Sequence, residues 1–241
     1  MTLLSEIILP NNEISGTIPT GIGNLSLHLL HLFKTNLSGS VPEEFYQMSS
    51  LVFLDISSNL LSGTISPSIA NLKSLIYIVL NGNNFTGSLP LLSSPLLQSV
   101  DLSFNSFSGT IPDSYYTLTS LQELYLTYNF LGGTLSDNWT NLVSLNALGL
   151  DHNYFEGTIP TTIATLPNLN SLYLSTNQLN GTIPTEIALM EQLFDLRLDT
   201  NNFVGSIPQL IEILPHLQTF FIQNNPNLCD GSNISHSLIF I

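Results

Sequence analysis

Cationic side chains are almost missing from this chain: Lys and Arg number 3 among 241 residues, against 17 Asp and Glu, for a formal net charge of −14. Nucleic acids and anionic membrane surfaces are held mainly by Lys and Arg. Lys34, Lys73 and Arg197 are too few and too scattered to form a basic patch, so neither is expected as a partner. Charged residues of both signs make up 8% of the chain, where an average domain carries roughly 25%. Neutral Ser, Thr and Asn must therefore cover the surface. Cysteine is reduced to Cys229, which excludes an internal disulfide and a Cys-based zinc cluster. No run of about 18 apolar residues occurs, so no segment reads as a membrane-spanning helix. The opening residues 1–16 lack a positively charged region and a small-residue cleavage site. Their leucines fit a repeat instead of a signal peptide.

What is present is that repeat. The motif L-x-x-L-x-L-x-x-N-x-L-x-G-x-I-P-x-x-I-x-x-L recurs with its first position at Leu4, Leu27, Leu51, Leu75, Leu97, Leu121, Leu145, Leu169, Leu193 and Leu217. The spacings are 23, 24, 24 and 22, then 24 throughout. Such regularity leaves no room for a linker or second domain and predicts one solenoid over residues 1–228, with 229–241 as a tail or truncated cap.

Each slot has a physical task. Alternation at positions 4 and 6 predicts a short strand with Leu124 and Leu126 inward and Glu123, Tyr125 and Thr127 outward. Position 9 is Asn in nine registers, from Asn12 and Asn59 to Asn225, and there a buried carboxamide can serve backbone groups where the chain turns. Thr35 interrupts that column, so a weak point partly mended by its hydroxyl is expected. Position 13 is Gly in the first nine registers, as a positive φ or a close approach between turns requires, and position 16 is usually Pro, with Ser66 and Ser136 as exceptions. Apolar positions 19 and 22, such as Ile163 and Leu166, predict a one-turn or 3₁₀ helix on the opposite side.

The segments NQLNGTIPTEI and NNFVGSIPQLI, with the leucines before them, resemble the plant-type leucine-rich repeat, marked by L-x-G-x-I-P in a 24-residue unit. The resemblance implies an α/β repeat fold: a curved right-handed solenoid with a parallel sheet on its concave face and short helical turns on its convex face. It also implies kinship with ectodomains of receptor-like kinases and receptor-like proteins and with polygalacturonase-inhibiting proteins, which bind protein, peptide or glycan ligands, in some cases with a co-receptor. The secreted plant members carry cysteine pairs at both ends; here only Cys229 resembles one such cysteine. The motif set of a kinase is absent.

On that fold, outward positions 3, 5, 7 and 8 should form a concave surface with registers about 4.7–4.9 Å apart. Aromatics there offer apolar faces and polar tips at low entropic cost. The expected ligand-binding residues are Phe104, Tyr125, Tyr128, His152, Tyr173, Asp195, Arg197 and Asp199, with Arg197 between two carboxylates on one strand face. High β propensity also accounts for tyrosine on strands. His31 and Asp55 fall in adjacent registers, and Asp151, Asp195 and Asp199 cluster without the glycine-turned loop of a calcium site, so no metal and no cofactor is assigned. No G-x-S-x-G, H-E-x-x-H or P-loop pattern occurs, and an enzyme is not expected. Asn24, Asn36, Asn84, Asn138, Asn180 and Asn233 stand in N-x-[ST] sequons, the first five outside the L-x-x-L-x-L strand, which favours an extracellular or cell-surface setting. A second reading rests on position 14, where Thr17, Ser40, Thr64, Ser88, Thr110, Thr134, Thr158, Thr182 and Ser206 form one hydroxyl per register. Such a neutral array suits ice binding or a structural cell-wall role, although Thr and Ser also suit a strand there for their β propensity alone.

Overall fold

A computed structural model describes residues 4–229. Ten turns of a curved solenoid follow the ten registers. Their inner strands, from Glu6–Ile8 to Thr219–Phe221, make one ten-stranded parallel sheet in chain order. Pairing joins like to like: Glu123 lies opposite Ala147, Leu124 opposite Leu148 and Tyr125 opposite Gly149. Every motif position of the inner strands therefore becomes a column running the length of the sheet.

Leucine and isoleucine supply the core because one side of each turn must leave water. In the sixth turn Leu121, Leu124, Leu126, Leu131, Trp139 and Leu142 are fully buried, and each aliphatic side chain so buried contributes about 1.5–3 kcal/mol. The Asn column satisfies the turn backbone beside that core. Asn129 donates through Nδ2 to Leu102 O at 3.0 Å in the preceding turn and to Leu126 O at 3.0 Å in its own, while its Oδ1 accepts from Phe107 N at 3.0 Å. Thr35, fully buried, places its hydroxyl 3.0 Å from Leu32 O, which replaces one of these bonds.

A second ten-stranded parallel sheet lies on the other side of the Asn column, ending in the strand Asn227–Cys229. Its register is sheared, since Gly132 pairs with Tyr154 and Gly133 with Phe155. Position 14 thus faces position 12 of the next turn. Thr134 meets Glu156, and Thr182 meets Val204. All nine hydroxyls are exposed, but they step diagonally across the sheet with dissimilar neighbours between them. The glycines of position 13 have a packing reason as well as positive φ. A Cβ on Gly181 (φ 72°) would lie 2.7 Å from the Thr158 methyl, so each threonine methyl nests where the next turn has no side chain.

Eight 3₁₀ helices cover the convex side among the described residues. The fourth turn, shorter by two residues, has none, contrary to the expectation of one per register. In its place buried Ser94 donates toward Lys73 O at 2.8 Å and Leu75 O at 2.7 Å, which ties the shortened segment to the turn before it. Where Ser replaces Pro at position 16, its oxygen starts the helix: Ser66 accepts from Ser68 N, and Ser136 from Asn138 N.

Candidate ligand-binding face

The residues expected to bind ligand separate into two groups. Tyr125, Tyr173, Asp195 and Arg197 lie on the inner strands. Gly149 between the two tyrosines is buried, and a Cβ there would come within 2.9 Å of Tyr125 Cδ1 and of Thr127 Oγ1. The Tyr125 ring thus leans across the next turn. Arg197 is placed by Asp195, with Nη2 2.8 Å from Oδ2 and Nε 3.1 Å from Oδ1, and its guanidinium lies 4.6 Å from the Tyr173 ring centre and 5.5 Å from that of Phe221. This is an arginine held between two rings by a forked ion pair. Asp195 is buried, and both of its oxygens accept from that guanidinium.

The electrostatics follow from burial. The Tyr125 hydroxyl is pushed up to about 12 by burial, reinforced by Glu123, Tyr173 and Asp101. Burial also raises Tyr173, against the lowering effect of Ser171. Both phenols remain donors across the physiological range. Asp101 is raised by burial more than its hydrogen bonds from Ser103 lower it.

Phe104, Tyr128 and His152 take a different place. They follow the strands on backbone with φ of 51°, 53° and 54°, the left-handed region, and form a stack along one rim of the sheet. Ring centres are 4.5 Å apart for Phe104 and Tyr128 and 3.8 Å for Tyr128 and His152, with interplanar angles of 19° and 20°. The inner strands end before this column, so these rings edge the concave sheet instead of lying on it. Asp199 likewise lies beyond the strand Asp195–Arg197. It accepts a bond from Ser175 Oγ, so the expected arginine between two carboxylates is an Arg197 paired with Asp195 alone. Asp151 accepts from Thr127 Oγ1 at 2.7 Å and lies 3.1 Å from His152 Nδ1. Among the described residues no group of three His, Cys, Asp or Glu side chains is placed to hold a metal ion.

Other features were not read from the sequence. Phe130 and Tyr154 stack at 6.1 Å on the outer side of the Asn column, both more than half exposed. Their signal was a column at position 10, adjacent to the buried Asn. Toward the other end, the adjacent registers expected for His31 and Asp55 do bring them together, with His31 Nε2 3.2 Å from Asp55 Oδ2, beside Phe53 and Tyr77. On the opposite rim of the last turns, Asn168, Asn170, Gln192, Phe194, His216 and Gln218 border an open groove of about 530 Å³. Of the sequons, Asn24, Asn36, Asn84, Asn138 and Asn180 are exposed, all away from the inner strands; Asn233 lies outside the described residues.

The leucine rich repeat family matches residues 95–155 and 143–203, with further single repeats matched at 3–25 and 50–72. No curated protein sequence matches the chain significantly. Among solved structures, the plant peptide hormone receptor RGFR1 in complex with RGF2 is 36% identical with a TM-score of 0.90, over 93% of this chain and 36% of that one. The Arabidopsis receptor kinase HAESA, in complex with the peptide hormone IDA and the co-receptor SERK1, is 34% identical with a TM-score of 0.88, over 95% of this chain and 39% of that one. A plant ice-binding protein is 25% identical with a TM-score of 0.67, over 94% of this chain and 83% of that one. The chain thus spans well under half of either receptor and most of the ice-binding protein. These matches over most of its length make the chain a leucine-rich repeat protein that resembles the ectodomains of plant receptor kinases.

Proposed function

We propose that this chain is a non-enzymatic, extracellular recognition module that binds a peptide or protein ligand on its concave face. The observation that carries the reading is the Tyr125, Tyr173, Arg197 and Phe221 column, in which protonated phenols and a ring-flanked guanidinium are held in place before any ligand arrives. Preorganised aromatics and arginine of this kind dominate binding energy at interfaces. The likeness to receptors solved with peptide hormones, one of them with a co-receptor, supports the same reading. So do exposed sequons placed away from the inner strands, where glycans would leave the face open.

The test is ligand capture from extracts and from a peptide and glycan panel with the wild-type protein and a variant carrying Tyr125→Ala, Tyr173→Ala and Arg197→Ala. Each truncation at a binding centre costs about 2 kcal/mol or more. A ligand held by the wild type and lost by the folded variant is the expected result, and a ligand held equally by both would refute the assignment.

The likeness to a plant ice-binding protein over most of its length favours a second reading, in which the exposed hydroxyls of position 14 meet ice. Against it stands the sheared register, which sets Glu156 and Val204 between those hydroxyls. Shaping of ice crystals by the purified protein, abolished by Thr110→Tyr and Thr134→Tyr, would establish it.

A further inference from the structure

Along the rim column, position 8 runs Ser58, Gly82, Phe104, Tyr128, His152 and Thr176, each on left-handed backbone. Phe104 gives one ring face to Tyr128. Its other face looks along the column toward Gly82, whose turn is joined to it by Gly82 N to Ser103 O at 3.0 Å and Asn83 N to Phe104 O at 3.2 Å. Gly82 has no side chain to cover that face, and Phe104 is 53% exposed, more than Tyr128 inside the stack. On the far side the column resumes at Ser58, whose Oγ lies 3.4 Å from where a Gly82 Cβ would stand. The result is a slot one turn high, about 4.7–4.9 Å of strand spacing on each side of its centre, walled by an aromatic face and floored by backbone whose donors are already satisfied.

We propose that this slot receives an aromatic side chain of the polypeptide ligand, stacked on Phe104. The inference rests on the function proposed above and adds a second anchor point to the concave column. The column itself shows what the space accepts. Phenyl, phenol and imidazole rings already lie face to face there, and a further planar ring at the missing position continues the same stack. Offset-stacked rings attract one another beyond the apolar area they bury. The occupant is uncharged, because the column residues flanking Gly82, Ser58 and Phe104, supply no ion pair. Phe130 and Tyr154, stacked on the other side of the Asn column, extend the apolar border on which the rest of such a ligand can rest.

The experiment is an amide chemical-shift titration of the whole protein with N-acetyltryptophanamide, and separately with methyl β-D-glucopyranoside. The indole probe should give saturable shifts centred on Gly82, Asn83 and Phe104. The shifts should vanish in Gly82→Tyr, which fills the slot as Tyr128 fills its own position at φ 53°, and in Phe104→Ala, which removes the wall. Unchanged shifts in distant turns show that both variants are folded. The variant with Tyr125→Ala, Tyr173→Ala and Arg197→Ala should titrate like the wild type, so that failure of the concave-face assignment and failure of the slot are told apart. Saturable indole binding that survives Gly82→Tyr, no saturable binding by the wild type, or binding of the glucoside in place of the indole would each overturn the proposal.

Discussion

The first turn and the sixth are written in the same motif but hold to their neighbours by different means. Asn129 reaches back to the fifth turn through both atoms of its carboxamide. Among the described residues the exposed Asn12 bonds within its own turn, to Leu9 O and Pro10 O, and Thr35 sends no bond back to the first turn. The first turn is joined to the second by strand pairing, by Leu9 N to His31 O and by Asn11 N to Phe33 O. Ile7, Leu9, Ile14, Ile18, Ile22 and Leu25 of the same turn border an apolar cleft of about 350 Å³. In a stack where each turn touches only the next, one missing bridge stays a local weakness.

The largest test of that contrast is Asn129→Ala. It leaves Phe107 N without its acceptor, at about 1–3 kcal/mol for a buried unpaired group, and removes one of two donors from Leu102 O and Leu126 O, which keep Asn105 Nδ2 and Asn153 Nδ2, at about 0.5–1.5 kcal/mol for each bond. A loss of about 2–6 kcal/mol by denaturant unfolding is expected, against less than about 0.5 kcal/mol for Asn12→Ala at an exposed site. Equal losses would break the comparison. Leu148→Ala, in the fully buried leucine column, should cost about 2–5 kcal/mol through the cavity it leaves, with hydrogen exchange rising first in the sixth to eighth turns. Uniform rises along the chain would contradict nearest-neighbour stacking.

The converse change is Thr35→Asn, which restores the carboxamide at the second turn. It should stabilise by about 1 kcal/mol and slow exchange in the first turn alone, since one new bond contributes about 0.5–1.5 kcal/mol. The smallest effect concerns Asp101, an interior-turn carboxylate at the column position that the first turn fills with Ile8. Its raised pKa means that the folded state binds the proton more tightly than the unfolded chain, so its burial penalty is full above the folded value and fades as pH falls through it. Asp101→Asn keeps an acceptor for Ser103 N and should give a slight gain in stability at neutral pH that disappears below the ordinary carboxylate range. A gain that persists in acid would assign the effect to packing.

The turns, both strands of each unit and the fully buried leucines were legible because each of those columns uses one residue type for one reason. Thr35 was legible for the same reason, as the exception in a uniform column. The missing helix of the fourth turn was not, because its apolar residues remain and only two residues are lost. The rim stack was misplaced because Phe104, Tyr128 and His152 are residue types that suit strands, while the turn geometry puts whatever residue stands there on left-handed backbone. The shear of the second sheet was invisible too, since the spacing of the motif fixes a period and leaves open which positions lie opposite one another.

That left-handed residue has an evolutionary corollary. It turns its side chain out of the wall of the solenoid immediately before the Asn that closes the wall, so its identity is cut loose from the packing of the turn. Ser, Gly, Phe, Tyr, His and Thr occupy it in six successive turns without disturbing the pairing of the inner strands beside it. A surface of this design can be rewritten one letter at a time, with each new letter judged by what it meets outside the protein.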